Sequence, residues 1–165
     1  MGRTATVASG NVWYEARIEA SKGNEKLSSR SGAAELAGMS EDAIKNTELG
    51  LEKQMPVDKA VILADLYNAP NLLNHYCLTE CPIGKNHPLS DKVQTIDRIT
   101  VKLLRSLKLD ELESIKDKML EVASDGDITD EEVPDLEGVL DYLEKLVVVT
   151  SELRTLVKLA VRKRR

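Results

Sequence analysis

Phenylalanine is absent from the 165 residues, and aromatics make up only 3 % of them. Any core must therefore be built from Leu, Val, Ile and Ala, a palette that suits packed helices. Glycine and proline are scarce as well, at nine and five residues. With few breakers, 31 % charged and 42 % hydrophobic residues describe helices that are apolar on one side and solvated on the other. No apolar run approaches the ~20 residues that span a bilayer, and the N-terminus lacks the basic-then-apolar plan of a signal peptide. A cytoplasmic protein without membrane contact is expected, and there Cys77 and Cys81, the only cysteines, stay reduced.

Positive charge is also short. The net charge of -5 and a pI near 5.2 argue against binding nucleic acid by charge alone, because backbone binding rests on Lys and Arg displacing counterions. Residues 1 to 82 hold eight Lys or Arg against eleven Asp or Glu. The C-terminus is different: Arg154, Lys158, Arg162, Lys163, Arg164 and Arg165 follow one another with no acid between them. Such a tail either grips phosphates or an acidic surface, or serves as a solubilising last turn whose cations favour the helix dipole.

What is there reads as a succession of helices. Residues 1 to 10 are small and polar, an arm without hydrophobic period. Asn11 can cap a short first helix carrying Val12, Trp13, Ala16 and Ile18, which Lys22-Gly23-Asn24 breaks. Ser29 caps a second helix through Ala37, Gly38 suits its left-handed end, and Ser40 caps a third from about Glu41 to Leu49 with Ala43, Ile44 and Thr47 inward. Pro56 opens a fourth with Val57, Val61, Ile62, Ala64, Leu66 and Tyr67 as its apolar face, and Asn68-Ala69-Pro70 leads into a fifth, Asn71 to about Cys77. After a linker at Cys81 to Pro88, Val93, Ile96, Ile99, Leu103, Leu107, Leu112, Ile115, Met119 and Val122 mark one or two long helices. Thr129 with Glu132 forms a capping box for a last helix, whose seam is Leu136, Leu140, Leu143, Val147, Leu153, Val157 and Ala160. The expected fold is all-α: a five-helix domain over 11 to 82, then an antiparallel helical hairpin over 89 to 165 that serves as a dimerisation region.

The stretch Ser29-Arg30-Ser31-Gly32-Ala33-Ala34-Glu35-Leu36-Ala37-Gly38-Met39-Ser40-Glu41-Asp42-Ala43-Ile44-Lys45-Asn46-Thr47-Glu48-Leu49-Gly50 resembles, without a gap, the helix-turn-helix of the phage-repressor-like (XRE) family. Ala34 is small where two helices cross, Gly38 permits the tight turn, Ser40 caps the recognition helix and Ile44 plugs the core. The resemblance continues through Pro56 to Pro70. It implies a structural ion pair between Arg17 and Glu48. It also implies a transcription regulator from a phage or mobile element that reads double-stranded DNA as a homodimer, through Ser29, Arg30, Ser40, Glu41, Asp42, Lys45, Asn46 and Lys53.

The chain departs from that family at the recognition helix, where Glu41 and Asp42 suit the helix dipole but repel phosphate. Glu or Asp can accept from cytosine and Asn46 can pair with adenine, so base reading keeps a chemical route. The second reading is a protein-interaction module that has kept the fold, such as an anti-CRISPR-like inhibitor of a host nuclease or defence complex, docked on a basic or nucleic-acid-binding host protein.

Other constellations are weaker. His75, Cys77, Cys81 and His87 offer zinc donors at a loose spacing, against the plainer reading of a core-filling Cys pair. Glu121 to Glu132 has the glycine and final Glu of a calcium loop but two wrong ligand positions, and a capped turn accounts for it. No phosphate loop or nucleophile-base spacing is present, so neither an enzyme nor a cofactor is expected.

Overall fold

The computed structural model describes residues 8–124 and 126–162, and among these the regular structure is helical, without a strand. Two compact units emerge. Of the described residues, the first takes in those up to His87 together with 158–162, and the second runs from Pro88 to Val157. Among the described residues no helix is long and apolar enough to cross a membrane.

The first unit holds α1 (Val12–Ser21), α2 (Arg30–Ala37), α3 (Glu41–Leu49), α4 (Val57–Leu66) and α5 (Asn71–Thr79). Side-chain caps set three of the starts. Asn11 accepts from the Trp13 and Tyr14 amides, Ser29 from Gly32 and Ser40 from Ala43. The other two follow Pro56 and Pro70, whose missing N–H costs a helix start nothing. A single 3-10 turn, Glu25–Ser28, fills the break after α1 and drops Leu27 into the core. That core gathers Trp13, Leu27, Ala33, Ala34, Ile44, Met55, Ala60, Leu63, Ala64, Tyr67, Leu72 and Tyr76.

In α4 the face turned inward differs from the expected one. Ala60, Leu63, Ala64 and Tyr67 are buried, while Val57, Val61 and Ile62 are exposed. The apolar residues of α4 from Ala60 to Ala64 run through consecutive positions and so fall on more than one face, and periodicity alone does not choose. Packing selects the side with two alanines, which lets the backbones approach.

The second unit holds α6 (Ile96–Ser106), α7 (Leu109–Val122) and the stretch of α8 (Val133–Arg162) up to Val157. It is not the two-helix hairpin expected from the apolar spacing. The chain breaks at Leu107, whose backbone leaves the helical region, so of the one or two long helices expected before α8 it forms two, of 11 and 14 residues. Lys118 of α7 pairs with Asp135 near the start of α8. Lys102 of α6 reaches Glu152 farther along it. Ser90 ties the start of the unit to α8 as well, its amide donating to the Ser151 hydroxyl at 3.0 Å and its hydroxyl to the Glu152 carboxylate at 2.9 Å.

Two expectations for α8 are corrected. Glu132 accepts from the Thr129 amide and hydroxyl at 2.8 Å, but around a turn, and the helix starts only at Val133, after Glu132 rather than after Thr129. The buried face is Val139, Tyr142, Val149, Glu152 and Thr155, whereas Leu140, Leu143, Val147 and Val157 of the predicted seam are exposed. Both stripes are apolar. The one carrying Ser151 and Glu152 turns inward because those groups meet Ser90 and Lys102 there.

Candidate nucleic-acid interface

Between α2 and α3 the chain turns in three residues. Gly38, at φ +65°, supplies the left-handed step, and the Met39 amide reaches back to the Ala34 carbonyl at 3.0 Å, closing the helix end. Ser40 then starts α3, its hydroxyl accepting from the Ala43 amide at 3.1 Å. Ala33, Ala34 and Ile44 are buried at the crossing. Gly50, also at φ +65°, ends α3 in the same manner, with the Leu51 amide on the Asn46 carbonyl at 2.9 Å. The result is a nine-residue helix whose outer side presents Glu41, Asp42 and Lys45 to solvent, with Asn46 half-buried beside them.

A buried charge cluster holds the end of α3. Glu48, 1 % exposed, accepts from Arg17 Nε at 2.5 Å and from Arg17 Nη2 at 3.2 Å. Arg17 Nη1 donates to the carbonyls of Leu27 at 2.8 Å and Ser28 at 3.1 Å, so the guanidinium staples α1 to α3 and to the turn between α1 and α2. Arg30 Nε adds a second guanidinium to Glu48 at 2.7 Å. Sequence spacing gave no hint of that contact. It ties Arg30, a candidate phosphate ligand, to an internal carboxylate, while leaving its side chain about a third exposed.

A second charge holds the middle of the same helix. Lys59 of α4, almost wholly buried, donates to the Ala43 carbonyl at 2.7 Å and to Glu52 at 2.5 Å, and Glu52 also accepts from the Thr47 hydroxyl at 3.1 Å. Asn11 donates to the Thr47 carbonyl at 3.1 Å. Lys59, Glu52 and Asn11 went unnoticed as partners because each lies on a different element. The available signal was a lysine one residue before Ala60 on a helix whose middle, Ala60 to Ala64, is apolar. Tyr67 sits behind this region, and burial, reinforced by the Glu48 charge, pushes its phenol far above the ordinary value.

The remaining candidate positions are dispersed in character. Ser29 and Ser40 are exposed but serve as helix caps, and Lys53 is exposed in the segment after α3. Glu41, Asp42 and Lys45 make no ion pair among the described residues. Beside the end of α3 lies an open cleft of about 260 Å³ lined by Asn11, Trp13, Asn46, Thr47, Glu52 and His75. Of the basic tail, Arg154 and Lys158 are exposed on α8, and Arg162 ends that helix. Lys163, Arg164 and Arg165 lie outside the described residues, as does Asp125 of the turn before α8.

His75, Cys77, Cys81 and His87 do not come together. Among the described residues no group of three or more His, Cys, Asp or Glu side chains is placed to hold a metal ion. Both thiols are free and half-buried, and Cys81 Sγ accepts from the Gly84 amide at 3.4 Å. Burial, then the neighbouring Cys81, raises the Cys77 thiol above its usual range. Compared with known proteins, the chain matches no family model, no curated protein and no solved structure.

Proposed function

We propose that this chain is a non-catalytic, cytoplasmic DNA-binding regulator of the phage-repressor type, in which α2 and α3 form the helix-turn-helix and α3 enters the major groove of double-stranded DNA. One observation carries the reading. The glycine turn, the Ser40 cap and the buried Ile44 set α3 so that Glu41, Asp42, Lys45 and Asn46 share its solvent side, where base edges are read. Lys45 then approaches phosphate or guanine, Asn46 pairs with adenine, and the two acids accept from cytosine. Ser29, Arg30, Ser40 and Lys53 flank that helix and face the backbone. The basic residues of the tail add phosphate contacts.

The test is a gel shift at low salt with duplex DNA flanking the chain's own coding sequence, against an unrelated duplex. Binding is expected to fall steeply as salt rises, with Lys45→Glu abolishing it and Asn46→Ala relaxing its sequence preference by about tenfold. No retardation of either duplex at low salt refutes the reading.

A second reading rests on the uncompensated Glu41 and Asp42 at the start of α3 and on Arg30 being turned toward Glu48. Both reduce the positive potential of this face, which suits a protein-interaction module docked on a basic groove, such as that of a host nuclease or defence complex. Under it, Glu41→Lys with Asp42→Lys would create duplex binding where the parent chain has none.

A further inference from the structure

The face of α8 that stays outside the second unit is not polar. Leu140 is 56 % exposed, Leu143 and Val147 45 % each, and Val157 53 %. With Val133 and the half-buried Leu136, the residues up to Val147 recur at three- and four-residue steps, the seam of a two-helix coil, and Val157 resumes it after Thr150 and Arg154 take the two positions between, over about 36 Å from 133 to 157 at 1.5 Å per residue. A stripe that long, apolar at six of its eight seam positions, is more than the single exposed apolar residues any surface carries.

Charge along α8 says what covers it. Its half before Val147 carries Asp135, Glu137, Asp141 and Glu144 against one base, Lys145, while the half after it carries Arg154, Lys158 and Arg162 against one acid, the buried Glu152. A parallel pair of such helices would set acid on acid and base on base. An antiparallel pair sets each half on its complement. We infer that α8 pairs antiparallel with α8 of a second copy of this chain along the Leu140–Val157 part of the seam. Heptad register then seats Leu140 against the partner's Val157, Val147 against the partner's Thr150, and Leu143 beside the stem of the partner's Arg154, whose guanidinium meets Glu144 at the flank. The inference does not depend on DNA being the ligand of the first unit.

The experiment is light scattering of the full chain across a dilution series, with circular dichroism on every variant. The parent is expected at dimer mass. Leu140→Glu with Leu143→Glu should give monomer mass at unchanged helix content, because both positions are exposed. Glu144→Arg alone and Arg154→Glu alone should each weaken the dimer about tenfold, two ion pairs being turned into repulsions, and the two changes together in one chain should restore it. A monomeric parent, or a mass that the Leu140/Leu143 variant leaves unchanged, overturns the seam. Single charge reversals without effect, or a double reversal that fails to restore, overturn the antiparallel arrangement.

Discussion

Removing the carboxylate of Glu48 tests the account of the first unit most directly. In Glu48→Ala, Arg17 stays 4 % exposed with a charge that has lost its counterion. Truncating one partner of a buried pair costs about 3–5 kcal/mol, because the survivor is left buried and uncompensated. Two features place this case at the lower end. Arg17 keeps the Leu27 and Ser28 carbonyls, and Arg30, about a third exposed, can turn to water. About 3 kcal/mol is therefore expected. The readout is specific, since Trp13 is the only tryptophan and lies in the core of this unit. With a urea dependence of about 1.5 kcal/mol per M, the midpoint of the tryptophan transition should fall by about 2 M. Arg30→Ala should cost about 1 kcal/mol in the same assay, since its departure leaves Glu48 paired with Arg17. A midpoint shift below about 0.5 M for Glu48→Ala, or equal shifts for both variants, would refute the claim that Arg17 and Glu48 anchor α3.

Three further outcomes follow from the same geometry. A Cβ at Gly32 would stand 2.0 Å from the Lys26 carbonyl oxygen, whereas at Gly38 it meets nothing within 4 Å and only the left-handed backbone resists it. Gly32→Ala should therefore cost about 3 kcal/mol and Gly38→Ala about 1 kcal/mol by urea unfolding, and the reverse order would contradict the turn described here. Tyr67 and Tyr76 have phenols raised by burial, so ultraviolet titration should leave both protonated above pH 10, where an exposed tyrosine ionises. Because the unfolded chain releases these protons first, their contribution to stability is complete below about pH 10 and declines as pH rises above it. Lys102→Met leaves the buried Glu152 carboxylate with only the Ser90 hydroxyl, and should lower the stability of the second unit by about 2 kcal/mol, followed by circular dichroism at 222 nm.

The all-α class was legible because the signals that carry it are local. Asn11, Ser29 and Ser40 stand at helix starts, and Gly38 and Gly50 at helix ends, and each acts within four residues of itself. The choice of buried face was less legible wherever a helix had two apolar stripes. In α4 the close approach through Ala60 and Ala64 decided it, and in α8 the polar groups Ser151 and Glu152 did. Both decisions belong to partners far away in sequence. The position of the break at Leu107, and the choice between one helix and two, was not legible for a related reason, because Leu103, Leu107 and Leu112 keep an apolar spacing across it and no glycine or proline marks it. At the candidate interface, the outward residues of α3 could be read from helical period once Ile44 was set inward. Arg30 on Glu48 and Lys59 on Ala43 could not, since each bond joins separate elements and depends on the packed geometry.

Those long-range contacts share a destination. Arg17 and Arg30 end on Glu48, Lys59 ends on the Ala43 carbonyl, and Asn11 ends on the Thr47 carbonyl, so three other elements of the first unit fasten one helix of nine residues. A helix that short is marginal in water, and hydrophobic contact through Ile44 alone would leave it free to rock. The buried lysine and carboxylate carry a desolvation cost that well-packed apolar side chains would avoid, so stability by itself is a poor account of them. What they do achieve is a fixed backbone under Glu41, Asp42, Lys45 and Asn46. Fixing those side chains in advance lowers the ordering cost of docking and holds base-edge or side-chain geometry to the tolerance that recognition needs. On this argument Lys59→Met, which loosens α3 without touching its outer face, should weaken binding of the α3 ligand about tenfold beyond any loss of folded protein. Unchanged affinity of the folded fraction, measured by titration at a temperature where the variant remains helical, would separate the anchoring of α3 from its function.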